Sequence, residues 1–159
     1  MTRAAANLPA NELYEEDFYA WTQEQARLLR ERRFADLDID HLIDEVVSVG
    51  ASEKREIENR LEVLISHLLK WKFQPGGRCS SWRGTIEEQR SRLRRLLTDS
   101  PSLQNYPIMV FGECYLSGRL RAARESGIDF TVFPEAHCFA AEQALDAAYW
   151  PTEPDLLRP

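Results

Sequence analysis

Apolar side chains recur every three to four positions along most of this chain, and that spacing predicts helices. Tyr14, Phe18, Trp21, Gln25 and Leu28 share one face of a first helix, which begins between Glu12 and Asp17 and runs to about Arg33. Its last turn holds Arg30, Arg32 and Arg33, as the negative end of a helix dipole favours. Asp38 is a good N-cap for a second helix, whose apolar stripe is Ile39, Leu42, Ile43, Val46 and Val49. Gly50 marks its end or a kink, and Ser52 caps the third helix. This long helix runs from about Ser52 to Phe73, with Ile57, Leu61, Leu64, Ile65, Leu68 and Trp71 on its apolar face.

Gln74-Pro75-Gly76-Gly77 is the strongest loop signal in the chain. The next helix starts near Ser80 or Ser81, points Trp82, Ile86, Gln89 and Leu93 inward, and ends at Ser100-Pro101. A fifth helix starts around Asn105, with Pro107 in its first turn and Gly127 as its stop. Ile108, Phe111, Tyr115 and Leu120 point one way, and Gly112 and Gly118 either admit a neighbouring helix closely or weaken this one. Phe130 to Phe133 is the only β-like run and is too short for a sheet. A last short helix spans about Phe139 to Tyr149. The fold class expected is therefore all-α: a compact bundle of five to six helices with no significant sheet. One domain over residues 12–151 is expected, between tails at 1–11 and 152–159.

Composition adds limits. At 159 residues with 43% apolar and 29% charged side chains, the chain can bury a core and is not of a disordered kind. No apolar run is long enough to cross a bilayer, and the first residues lack the apolar stretch of a signal peptide, so a cytoplasmic protein without a membrane role is expected. Cys79, Cys114 and Cys138 are odd in number and widely spaced, which argues against a disulfide framework. Each is expected to be a small buried or half-buried side chain. The net charge of −6 is uneven: Lys70 to Arg95 holds eight basic residues against Glu87 and Glu88, so the rest carries −12. Pairing of this basic stretch with acids of the first two helices is the expected explanation.

Several short stretches carry a family resemblance. Leu13-Tyr14-Glu15-Glu16-Asp17-Phe18-Tyr19-Ala20-Trp21 looks like an opening motif, and His67-Leu68-Leu69-Lys70-Trp71 with Gln74-Pro75 looks like a central one. Ser81-Trp82-Arg83, Phe133-Pro134 and Trp150-Pro151 come after them in order. From about Leu13 to Pro151 the chain resembles the bacterial "domain of unknown function twenty-nine" family. The resemblance implies a bacterial all-helical protein and brings no activity, substrate or catalytic residue with it.

The residues support three functional readings. The leading one is an interaction or structural module that binds a protein partner or a second copy of itself, with Glu45, His67 and Gln89 as polar core positions. The second is an enzyme using a divalent metal. His41, Asp44, Glu45 and Ser48 share a helix face, and His41, His67 and His137 together with Glu45 would supply a three-histidine site that activates water. The third is anion or nucleic-acid binding through Arg78, Arg83, Arg90 and Arg94, beside a Trp82 that stacks on a base. No phosphate-binding glycine loop, nucleophile elbow or Cys/His catalytic signature is present.

Overall fold

A computed structural model describes residues 10–151. Of the tail expected over 1–11, residues 1–9 lie outside the described residues, while Ala10 and Asn11 already belong to the first helix. The tail expected over 152–159 lies wholly outside them. The described chain forms seven α-helices: α1 (Ala10–Glu16), α2 (Phe18–Arg30), α3 (Ile39–Phe73), α4 (Ser80–Asp99), α5 (Tyr106–Met109), α6 (Phe111–Ser126) and α7 (Ala141–Leu145). Single 3-10 turns at Phe34–Asp36, Pro75–Gly77, Pro101–Leu103 and Phe130–Val132 connect them. No strand occurs among the described residues, so the chain is all-α, with the β-like run at Phe130 taking up one of the turns.

The helix count exceeds five or six because two expected helices are each divided. The first breaks at Asp17, whose backbone leaves the helical region (φ −150°, ψ 82°) while its carboxylate accepts the Ala20 N–H at 3.0 Å. An aspartate offering this bond starts a new helix rather than continuing the old one. α2 then ends at Arg30 and not Arg33, because Arg32 takes a left-handed backbone (φ 56°). The expected fifth helix breaks at Val110 (φ −95°, ψ 1°), where one hydrogen-bond ladder closes and the next begins.

In the opposite sense, two expected helices are one. α3 runs unbroken for 35 residues through Gly50, and Ser52 accepts from Arg55 within the helix instead of capping a new one. One interior glycine costs only about 1 kcal/mol, less than breaking and renucleating a long helix. Gly127 does end α6, in the left-handed conformation (φ 69°). α7 is shorter than expected; the Ala140 N–H that precedes it is satisfied by Gln143 Oε1 at 2.9 Å.

The chain packs as two compact units, one ending at Ala51 and the other beginning at Ser52, with α3 contributing to each. In the first unit, Leu13, Trp21, Gln25 and Leu28 are buried. In the second, the core joins Ile57, Leu61, Leu64 and Leu68 of α3 to Ile86 and Leu93 of α4 and to Tyr115 and Ala122 of α6, all buried. Trp82, expected to point inward, is only half-buried. Ile108 and Leu120 are exposed, whereas their expected neighbours Phe111 and Tyr115 are buried.

At Gly118, α6 lies close against α3. A Cβ placed there would lie 2.7 Å from Ile65 Cγ2 and 3.3 Å from the Glu62 carbonyl oxygen. The backbone neighbour cannot swing aside, so Gly118→Ala is expected to destabilise by about 1–3 kcal/mol despite its better helix propensity. An unchanged denaturation midpoint would show that the two helices separate freely.

The cysteines divide by environment. Cys114 is buried, and burial, with Glu62, Glu58 and Glu113 nearby, pushes its thiol up to about 12. Cys138 is half-buried. Cys79, expected to be covered, is instead exposed, because it precedes α4 as an extended residue at the helix start.

Candidate functional site

In the first unit the polar side of α3, not its apolar side, receives the aromatic residues of α1 and α2. The Tyr14 hydroxyl donates to Glu45 Oε1 at 2.7 Å, and its ring stacks on His41 with centroids 3.9 Å apart. Trp21 meets Tyr14 edge-on and donates its indole N–H to Asp38 Oδ2 at 3.1 Å. The same carboxylate oxygen lies 2.7 Å from His41 Nδ1. Gln25 is buried and accepts the Asp38 backbone N–H at 2.9 Å. Burial pushes the Asp38 carboxyl up, but the bonds from His41 and Trp21 outweigh it and hold the group below the ordinary aspartate range. The Tyr14 phenol is pushed up to about 12, chiefly by its hydrogen bond to Glu45.

This Asp38–His41 pair fixes the imidazole with Nδ1 as donor and Nε2 as the open nitrogen, the tautomer that a general base uses. No hydroxyl or thiol among the described residues is bonded to His41, so no protein nucleophile is paired with it. One carboxylate ties α2 to the start of α3.

With the polar side occupied, the apolar stripe of α3 before Gly50 is exposed except at Leu42, which is half-buried. Ile39 is 50% exposed, Ile43 55%, Val46 70%, and Val47 and Val49 66% each. The stripe that a compact bundle is expected to cover is thus exposed at these positions, while His41 and Glu45 are partly covered. The helical period identifies a face; it does not say which face a neighbour covers. Phe18, Tyr19, Leu29 and Phe34 in the same unit are exposed as well.

The other expected site residues are dispersed. His67 Nδ1 pairs with the Val63 carbonyl one turn earlier at 2.9 Å, rather than with another helix. Burial, the largest influence, lowers its pKa. The His137 ring packs on Tyr115 and edge-on to Phe111. Among the described residues no group of three or more histidine, cysteine, aspartate or glutamate side chains is placed to hold a metal ion. Gln89 accepts from Arg60 at 3.1 Å.

The basic stretch also resolves differently from expectation. Arg83, Arg92 and Arg95 pair within α4, with Glu87, Glu88 and Asp99. Arg78 donates to the Trp71 carbonyl at 2.8 Å. Arg90 is 3% exposed: its Nε donates to the Ala144 carbonyl at 2.8 Å and its Nη2 to the Tyr149 carbonyl at 2.7 Å. Of the four arginines expected to share an edge, Arg90 and Arg94 line one cleft, with Leu97, Thr98, Gln104 and Leu145.

Sequence reasoning missed two ties. Asp38 was legible as a cap, and its spacing to His41 marks an i, i+3 pair. Lys70 is buried and donates to Glu125 Oε2 at 2.6 Å, 55 positions away, a separation that no local pattern reveals.

The fold and these sites define an all-helical protein with an exposed apolar helix face. The chain belongs to the family described as "Domain of unknown function DUF29", whose model matches residues 13–150. No curated protein and no solved structure is matched. No helix among the described residues is long and apolar enough to cross a membrane.

Proposed function

We propose that the protein is an interaction module whose docking face is the outward stripe of α3, and that the partner presents a basic amphipathic helix. The carrying observation is the exposure of Ile39, Ile43 and Val46 at the i, i+4, i+7 positions of one helix, flanked by exposed Val47 and Val49. Large contiguous apolar surface is costly to leave in water and marks docking sites. A partner helix with its own stripe fits such a face. Charge selects the kind of helix. Asp40 and Asp44, both exposed, flank the stripe, and from Glu12 to Ala51 the chain has eleven acidic residues against four arginines. A basic helix is drawn to this surface, whereas a second acidic copy is repelled. The exposed, unbridged Cys79 suits a reducing compartment such as the cytoplasm.

The test uses a designed Leu/Lys amphipathic helix as probe, its Leu/Glu counterpart as control, and fluorescence anisotropy as readout. The Leu/Lys helix is expected to bind, and Ile43→Asp or Val46→Asp to weaken binding at least tenfold with circular dichroism unchanged. Met109→Asp, at an exposed apolar position of the second unit, should leave binding intact. Equal binding of the two peptides, or indifference to Val46→Asp, overturns the reading. So does a stable wild-type dimer that Val46→Asp dissociates, because the occupant is then a second copy.

A further inference from the structure

A different feature, in the unit that begins at Ser52, is built for charge. We propose that the cleft between α4 and α7 beside Arg90 and Arg94 binds a small carboxylate carrying a short apolar body. The cleft has a volume of about 250 Å³ and stands independently of the docking face on α3. Its two cations are one helical turn apart. Arg90 is almost fully buried, and two of its nitrogens are spent on the Ala144 and Tyr149 carbonyls. Its third, Nη1, is buried and meets no acceptor among the described residues.

Neither Arg90 nor Arg94 makes an ion pair with a described carboxylate, in contrast to Arg83, Arg92 and Arg95 on the same helix. Asp146 and Glu87 act on Arg90 only through space. A buried cation held by two carbonyl dipoles and the Trp150 ring but by no bonded carboxylate, beside a second cation, is an electrostatic deficit that an anion removes. Guanidinium groups take a carboxylate through charge-assisted hydrogen bonds.

The remaining walls set the rest of the ligand. Leu97 and Leu145 are apolar. The Thr98 hydroxyl is committed to the Arg94 carbonyl at 2.8 Å, and the Gln104 amide N–H to the Leu97 carbonyl at 2.9 Å. Beside the second N–H of the Gln104 amide, the donors left at the cleft are guanidinium N–H groups, whose charge favours an anion over a neutral amide. Two leucine walls favour a hydrocarbon body over bare phosphate.

Calorimetric titration of the intact protein with hexanoate, hexanamide and inorganic phosphate tests this, with methyl NMR shifts at Leu97 and Leu145 locating the site. Hexanoate is expected to bind saturably and shift both leucines, with hexanamide and phosphate at least tenfold weaker. Arg94→Gln, at an exposed position that leaves the Arg90 contacts in place, should weaken hexanoate about tenfold or more, the loss of one charge-assisted bond. Arg95→Gln, which alters a neighbouring cation outside the cleft, should not. Absence of saturable hexanoate binding overturns the proposal. Equal binding of hexanamide or phosphate, or insensitivity to Arg94→Gln, does so as well.

Discussion

Arg90→Ala is expected to cost about 3–5 kcal/mol of folding stability, a large share of what a domain of this size possesses. The change removes two charge-assisted hydrogen bonds and leaves the Ala144 and Tyr149 carbonyls without their donor. Trp150 loses a cation 5.5 Å from its ring centroid in the same step. The damage should concentrate where these carbonyls lie, so amide exchange after Leu145 should rise before the midpoint of α4 opens. Arg90→Lys should recover little, because one ammonium cannot present the planar fork that reaches both carbonyls. A chemical denaturation curve within about 1 kcal/mol of the parent would show the clamp to be dispensable.

Glu125→Ala is the second large effect, expected at about 2–3 kcal/mol. It falls below the 3–5 kcal/mol of a fully buried pair because Glu125 keeps a third of its side chain in water. Lys70 is buried and loses its carboxylate, keeping the Trp82 ring 5.1 Å away. The converse change, Lys70→Met, should cost less, since Glu125 retains Arg121 at 2.8 Å and solvent. The pair also sets an acid limb. Burial pushes the Glu125 carboxyl up, but hydrogen bonds from Lys70 and Arg121 prevail and hold it below its ordinary value of 4.5. A depressed folded pKa means that the unfolded chain takes up the proton first. The stabilisation is therefore complete above the unfolded value and is lost as pH falls through the folded one. Stability measured from pH 7 downward should fall less steeply below about 4.5 in Glu125→Gln than in the parent. Parallel curves would remove Glu125 from the account.

The helices and the core of the second unit were legible because period and partner agree there. Ile57, Leu61, Leu64 and Leu68 recur at helical spacing and are all buried. The same spacing in Ile39, Ile43 and Val46 gave the right helix and the wrong environment, since periodicity contains no information about what covers a face. Arg90 carried an unused signal: it falls in register with Ile86, Leu93 and Leu97, so its burial follows from the stripe it interrupts. Tyr14 with Glu45 and Lys70 with Glu125 had no such signal, because both pairs join positions distant in sequence. The breaks at Asp17 and Arg32 are single-residue backbone choices that a window of eleven or more residues averages away.

The unequal cover over the three thiols has a practical side. Cys114 is sealed in and Cys138 is half-hidden, so a maleimide dye or nitroxide added to the unaltered chain should attach at Cys79. A reporter would then sit at the start of α4, one helix turn from Trp82, with no substitution needed to put it there.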